Sequence, residues 1–335
     1  MAELCNSVPR LNITTPHCIT RASIRVLRPR EMWDNPTARA MREAIESNDA
    51  AALEALFQQD VNPDETQCDD GVLPLLKAAS RGADRALCAI LQHGVSVTVT
   101  DAWLNTALHL AACGGYVSCV HQLLQHGSAI NAVNYHGATP LMQAVSAQHI
   151  DVVRHLILHD ASTTPQLNDR KESALTIACQ TGNLGIFELI INVESPRQYR
   201  KRELYAALSS AVKGKQLLMV SLLLAVGAPA NFPNDTSIEH PLHAAVRSGD
   251  VSITRCLLAH GANIEAVDED GNTPLMVALG SKLFDVICAL VENGADINAV
   301  NGRTGECALS MVEWGAGSES CDLLLGALFA RAKVL

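Results

Sequence analysis

The strongest constraint on this chain is a period. A leucine or methionine recurs at Met41, Leu75, Leu108, Leu141, Leu175, Leu208, Leu242, Leu275 and Leu309, always 33 or 34 residues apart. Three residues after each anchor stands a small or β-branched side chain: Ala44, Ala78, Ala111, Ala144, Ala178, Ala211, Ala245, Ala278 and finally Val312. Fifteen and sixteen residues after each anchor comes an apolar pair, running from Leu56-Phe57 through Leu123-Leu124 to Leu324-Leu325. A repeat of this length is one supersecondary unit that cannot bury its apolar face alone. Neighbours must stack, and the chain becomes an elongated solenoid rather than several globular domains.

The clearest unit runs from Asp101 to Asn134. Leu108, Ala111 and Ala112 make one short helical face, and Val120, Leu123 and Leu124 make a second, with Gly114-Gly115 between them. Gly127 supplies a residue that takes the left-handed conformation cheaply after a helix. Residues 128–137 read as a short extended arm and a tight turn. Helix, turn, helix, hairpin is the unit, and the predicted fold is an all-α solenoid of about nine of them.

The helix starts carry a further signal: Thr106-Ala107-Leu108-His109, Thr139-Pro140-Leu141-Met142, His240-Pro241-Leu242-His243 and Thr273-Pro274-Leu275-Met276. With Gly261-Ala262-Asn263-Ile264 and Gly294-Ala295-Asp296-Ile297-Asn298, these make the chain resemble the ankyrin-repeat family over about nine-tenths of its length. The resemblance implies that the starting threonine and histidine hydrogen-bond across the turn and to the adjoining unit. His109 with Thr106 fits that pattern, whereas His243 keeps only the histidine. It also implies a concave groove lined by hairpin tips and the exposed faces of first helices.

Boundaries follow the register. Residues 1–33 lie outside it, hold Pro9, Pro16 and Pro29, and carry Arg10, Arg21, Arg25, Arg28 and Arg30 against Glu3 and Glu31. They read as a flexible basic tail. A mitochondrial transit peptide is the alternative, although the prolines interrupt the helix it would need. The array occupies 34–335, with repeats at about 34–67, 68–100, 101–133, 134–167, 168–200, 201–234, 235–267, 268–301 and 302–335. Repeat one places Arg39, Arg42 and Glu43 about its anchor, as an outer cap requires. Asp160 stands where glycine is expected and Thr164-Pro165-Gln166 replaces the usual arm, so the hairpin of repeat four is predicted to differ in shape, and Glu194 at the glycine position predicts a changed helix end in repeat five. The apolar end from Leu328 to Leu335 folds back as its own cap or meets another surface.

Composition narrows the function. The net charge is −10, from 35 acidic and 25 basic residues, which disfavours nucleic acid and anionic membrane as general partners. Eleven cysteines without a C-x-x-C pair suit a reducing compartment, the cytoplasm or alternatively the nucleus, and read as small core hydrophobes. The apolar stretch from Leu217 to Ala230 is too short for a membrane span and reads as the second helix of repeat six.

Chemistry-bearing residues are explained by position. His93, His126, His159 and His260 all stand eighteen residues after an anchor. Cys113, Cys119 and His121 match no zinc spacing, no phosphate loop or nucleophile elbow is recognisable, and neither catalysis nor a cofactor or metal is expected. Interaction residues are then sought on the hairpin tips and first helices. Trp103, Asn105, Tyr135 and His136 form one candidate group, either an interface or hairpin-to-hairpin packing. A second is basic: Arg200, Lys201 and Arg202, with Lys213, Lys215 and Arg170 across the groove, a receptor for acidic or phosphorylated peptide or else a solvated loop. Tyr205 and Arg247 occupy groove positions as well. The function expected is a non-catalytic scaffold or adaptor for a protein or peptide. A narrower alternative, by resemblance to SOCS-box ankyrin proteins, is a substrate-recognition subunit of a ubiquitin ligase, although no SOCS-box-like segment follows repeat nine. An enzyme with a repeat accessory region has too little unrepetitive chain to be built from.

Overall fold

The computed structural model describes residues 36–59, 61–64, 67–68, 70–163, 167–193, 201–231 and 239–308. Sixteen helices are described, in eight pairs: α1 (Pro36–Glu46) with α2 (Ala50–Phe57), α3 (Pro74–Arg81) with α4 (Asp84–Gln92), α5 (Ala107–Gly114) with α6 (Val117–Gln125), and α7 (Pro140–Ser146) with α8 (Ile150–Leu158). They continue as α9 (Ala174–Thr181) with α10 (Leu184–Val193), α11 (Lys201–Lys213) with α12 (Leu217–Val226), α13 (Pro241–Ser248) with α14 (Val251–Ala259), and α15 (Pro274–Gly280) with α16 (Phe284–Glu292). Each pair is one repeat. Repeat nine, beyond residue 308, lies outside the described residues, as does the basic tail.

Local chemistry sets the helix ends. Thr139 and Thr273 precede prolines whose missing N–H costs nothing in a first turn, and their hydroxyls accept from Met142 N (3.2 Å) and Met276 N (3.4 Å). At the far ends of second helices, Nδ1 of His126, His159 and His260 lies 2.9 Å from the carbonyl oxygens of Gln122, His155 and Cys256. This ring-to-carbonyl cap accounts for three of the four histidines eighteen residues after an anchor, while His93 packs its ring 4.4 Å from that of Phe57.

At the end of the second helix of repeat four the chain keeps the usual turn. Asp160 takes φ +63°, in the region that Gly127 occupies at +82°. Asp160 N and Ala161 N donate to Ile157 O and Leu156 O at 3.1 and 3.0 Å, matching Gly127 N and Ser128 N on Leu124 O and Leu123 O, both 3.0 Å. Aspartate tolerates the left-handed region better than most residues, so the turn survives the substitution. Residues 164–166 and Glu194 fall outside the described residues. The arms are turns rather than strands: among the described residues only isolated bridges join Thr100 to Thr106 and Val300 to Cys307.

Stacking follows two rows. First helices pack on first helices from α1 to α15, and second helices on second helices. The second row weakens between α10 and α12, which barely touch, while α9 and the long α11 share the most extensive contact of any described pair. Gly214, in the turn after α11, permits that approach, since a Cβ there would stand 2.1 Å from the carbonyl oxygen of Gln180.

The interior forms two apolar clusters. One runs from Met41 to Ala262 and includes Leu75, Leu108, Leu141, Leu175, Leu208 and Leu242. The other gathers Val246, Leu275, Met276, Leu290 and Ala308. Both meet in repeat seven, where Leu258 packs against each. Among the described residues no helix is long and apolar enough to cross a membrane.

Candidate protein-binding surface

The hairpin tips of repeats three and four are built as one rigid piece. Asp101 Oδ1 accepts from the amides of Trp103 and Asn105, both at 2.8 Å. Asn105 donates from Nδ2 to Asp101 Oδ2 (3.0 Å), and its own Oδ1 accepts from Asn134 Nδ2 at 2.9 Å. Asn134, buried, closes its turn by accepting at Oδ1 from His136 N and Ala138 N, each 3.0 Å. Backbone bonds then tie tip to tip, Tyr135 N to Trp103 O at 2.8 Å and Asp169 N to His136 O at 2.9 Å. Asn105 is therefore a strut of the tips rather than a free contact group, and the same asparagine pairing recurs as Asn301 Nδ2 on Asn272 Oδ1 at 2.9 Å.

On that support three rings meet. Trp103 stacks on His136 with centroids 5.9 Å apart and meets Tyr135 edge-on at 6.3 Å, and Tyr135 meets His136 at 5.4 Å. The rings pack on each other from tip to tip, and Trp103 stays 58% and Tyr135 59% exposed.

Leu104 extends the apolar tip, half exposed at φ +57°. Repeats two, four and eight put Gly71, Gly137 and Gly271 at the same place, four residues before the anchor. A bulky residue in the left-handed region costs about 1 kcal/mol or more, so Leu104 is held there against its backbone preference. Sequence reading missed it, yet alignment of the repeats exposes the leucine in a glycine column.

The other candidates do not assemble. Tyr205, expected to face the groove, is 1% exposed, its hydroxyl 3.4 Å from His240 Nδ1; the correction follows from the length of α11, whose first turns pack inward on the neighbouring repeats. Lys201 and Arg202 are exposed at the start of α11 and Lys213 at its end, a separation of about 18 Å along the axis. They therefore form no single phosphate-sized pocket with Lys213 and Lys215. Lys215 donates to Ser248 O at 3.3 Å, and Arg200 lies outside the described residues. Arg170 is exposed on the tip beyond His136. Arg247 is clamped by two carboxylates, pairing with Glu239 and, at 2.7 Å, with Asp268.

The buried histidines and cysteines are structural. Nε2 of His109 lies 3.0 Å from Ala138 O in the next repeat, and its Nδ1 lies 2.9 Å from the Thr106 hydroxyl. Burial lowers its pKa, as it does for His243. Burial pushes the Cys119 thiol up to about 11 and raises that of Cys179, leaving both unreactive at neutral pH. A different histidine group, His121, His155 and His159, comes together on the second-helix face. The sequence hid it because its members come from two repeats.

A stacked array of helix pairs joined by hydrogen-bonded hairpin tips defines a repeat protein. The profile described as ankyrin repeats (3 copies) matches residues 75–169 and 208–301, more than half of the chain, and this protein belongs to the ankyrin-repeat family. It is 28% identical over 217 residues to a transient receptor potential cation channel subfamily A member 1 homolog of Caenorhabditis elegans, a match covering 65% of this chain and 18% of that protein. Human Rabankyrin-5 is 33% identical over 181 residues, or 50% of this chain and 15% of that one. The chain thus spans less than a fifth of either relative. Among solved structures, the human ASB11 ankyrin repeat domain superposes with a TM-score of 0.57 at 28% identity, covering 67% of this chain and 98% of that domain. Ankyrin repeats are generally protein–protein interaction modules, and the fold is typically non-catalytic.

Proposed function

We propose that this chain is a non-catalytic adaptor that holds a protein or peptide against the hairpin tips of repeats three and four. The observation that carries the reading is the cluster of Trp103, Leu104 and Tyr135, exposed and apolar, with the exposed His136 ring stacked on Trp103, on a hydrogen-bonded support. Aromatic side chains held rigid before binding lose little entropy when a partner arrives. A cytoplasmic or nuclear setting fits the absence of disulfides among the described residues.

The test compares proteins captured from the native cell by the wild-type chain and by a Trp103→Ala, Tyr135→Ala variant, with circular dichroism as a control for folding. Loss of specific partners from a folded variant supports the reading, and an unchanged set of partners overturns it. A finer version, in which the captured protein is delivered to a ubiquitin ligase, predicts ligase components among the captured proteins.

A further inference from the structure

We propose that His121, His155 and His159 form a binding site for a divalent transition metal of the zinc type, joining the second helices of repeats three and four. His155 and His159 stand one turn apart at the end of α8, and His121 projects from α6. One ring nitrogen from each lies within 4.8 Å of the others. Ring centroids are 4.4 Å apart for His155 and His159, 5.2 Å for His121 and His155, and 6.2 Å for His121 and His159.

The spacing fits a metal. Nδ1 of His121 and Nε2 of His155 are 3.3 Å apart, and two nitrogens each about 2.0 Å from a tetrahedral zinc stand about 3.3 Å from one another. Outer partners orient the rings. Nδ1 of His159 lies 2.9 Å from His155 O, which holds the N–H there and leaves Nε2 as the ligand atom. Once Nδ1 of His121 binds the ion, its Nε2 carries the proton. The Gln125 amide, 2.8 Å away, accepts that proton when its oxygen is turned inward.

The fold accounts for one of the three only. His159 caps α8, as its equivalents cap theirs. The positions of His121 and His155 are filled in other repeats by Cys88, Arg154, Glu188 and Arg255, or by Ala89, Gln122, Leu189 and Leu222. Stacking therefore requires a histidine at neither place. Imidazole ligands suit zinc, copper and nickel, and three of them leave a fourth position for water or a side chain of a bound protein.

Purified full-length chain titrated with Zn²⁺ in a calorimeter should bind one equivalent at this site. His121→Asn and His155→Asn, each at a position the fold leaves free, should weaken it at least tenfold without lowering the metal-free melting temperature. Co²⁺ substituted for Zn²⁺ should give visible bands of a nitrogen- and oxygen-bound ion. Absence of saturable binding, equal affinity in both variants, or thiolate-to-cobalt charge-transfer bands that place the ion on cysteines would each overturn the proposal.

Discussion

The rings of His240 and His243 lie 5.8 Å apart, and the buried Nδ1 of His243 has no hydrogen-bond partner among the described residues. In repeat three the equivalent atom of His109 sits 2.9 Å from the hydroxyl of Thr106. Both histidines reach the next repeat through Nε2, His243 meeting Asn272 O at 3.0 Å, so Nδ1 is the acceptor and needs a donor. His240 stands where the threonine would.

His240→Thr should restore that donor. The expected gain is about 0.5–1.5 kcal/mol, the worth of one buried hydrogen bond, read as a higher midpoint in urea. A midpoint that stays the same or falls would show that the weak contact of His240 with Tyr205 matters more.

Acid should destabilise the array in a defined window. Burial holds the pKa values of His109 and His243 below the ordinary value, outweighing the carbonyls of Ala138 and Asn272 that favour the charged ring. The unfolded chain therefore takes up these protons at higher pH than the folded one. Stability is full above about pH 6.5 and falls as the pH drops below it. Melting followed from about pH 8 to about pH 5 should show a plateau and then a decline. His109→Gln should make the decline shallower while melting lower at neutral pH; an unaltered slope would assign the decline to other groups.

Leu104→Gly should stabilise the fold by about 0.5–1 kcal/mol, by relieving a left-handed leucine at some cost in chain entropy. The same change should weaken partner capture. A variant that is more stable and binds equally well would remove Leu104 from the surface.

The two tyrosines should behave oppositely. Tyr205→Ala empties a buried volume and should cost about 3–5 kcal/mol, whereas Tyr135→Ala should cost about 1 kcal/mol or less. Denaturant melts of the two variants make the comparison directly.

Stacking was legible because it depends on small sets of residues at a fixed spacing: Leu108, Ala111 and Leu123 announce a buried face wherever the period places them. Exposure was less legible. Tyr205 occupies a groove position by register, but α11 starts early and turns it inward, and no counting along the chain reveals where the preceding segment ends. The basic residues show a similar limit, since register cannot reveal that a helix sets Arg202 and Lys213 at its two ends. The exposure of Trp103 and Tyr135 was legible because the repeat pattern does not call for aromatics there. Leu104 and the three clustered histidines were missed because each requires comparison between repeats, one by column and the other by stacked helices.

The split of the interior at repeat seven bears on how the array comes apart. In a stack where each unit meets only its neighbours, the weakest internal boundary decides which blocks open together. Val246 belongs to the cluster with Leu275 and Leu290, while Leu242 and Ala245 on the same helix belong to the long one. The seam therefore runs through α13 itself. The helices that carry the aromatic tips lie wholly within the long cluster. The tips of repeats three and four lie three repeats from that seam, so an opening that starts there leaves their support intact.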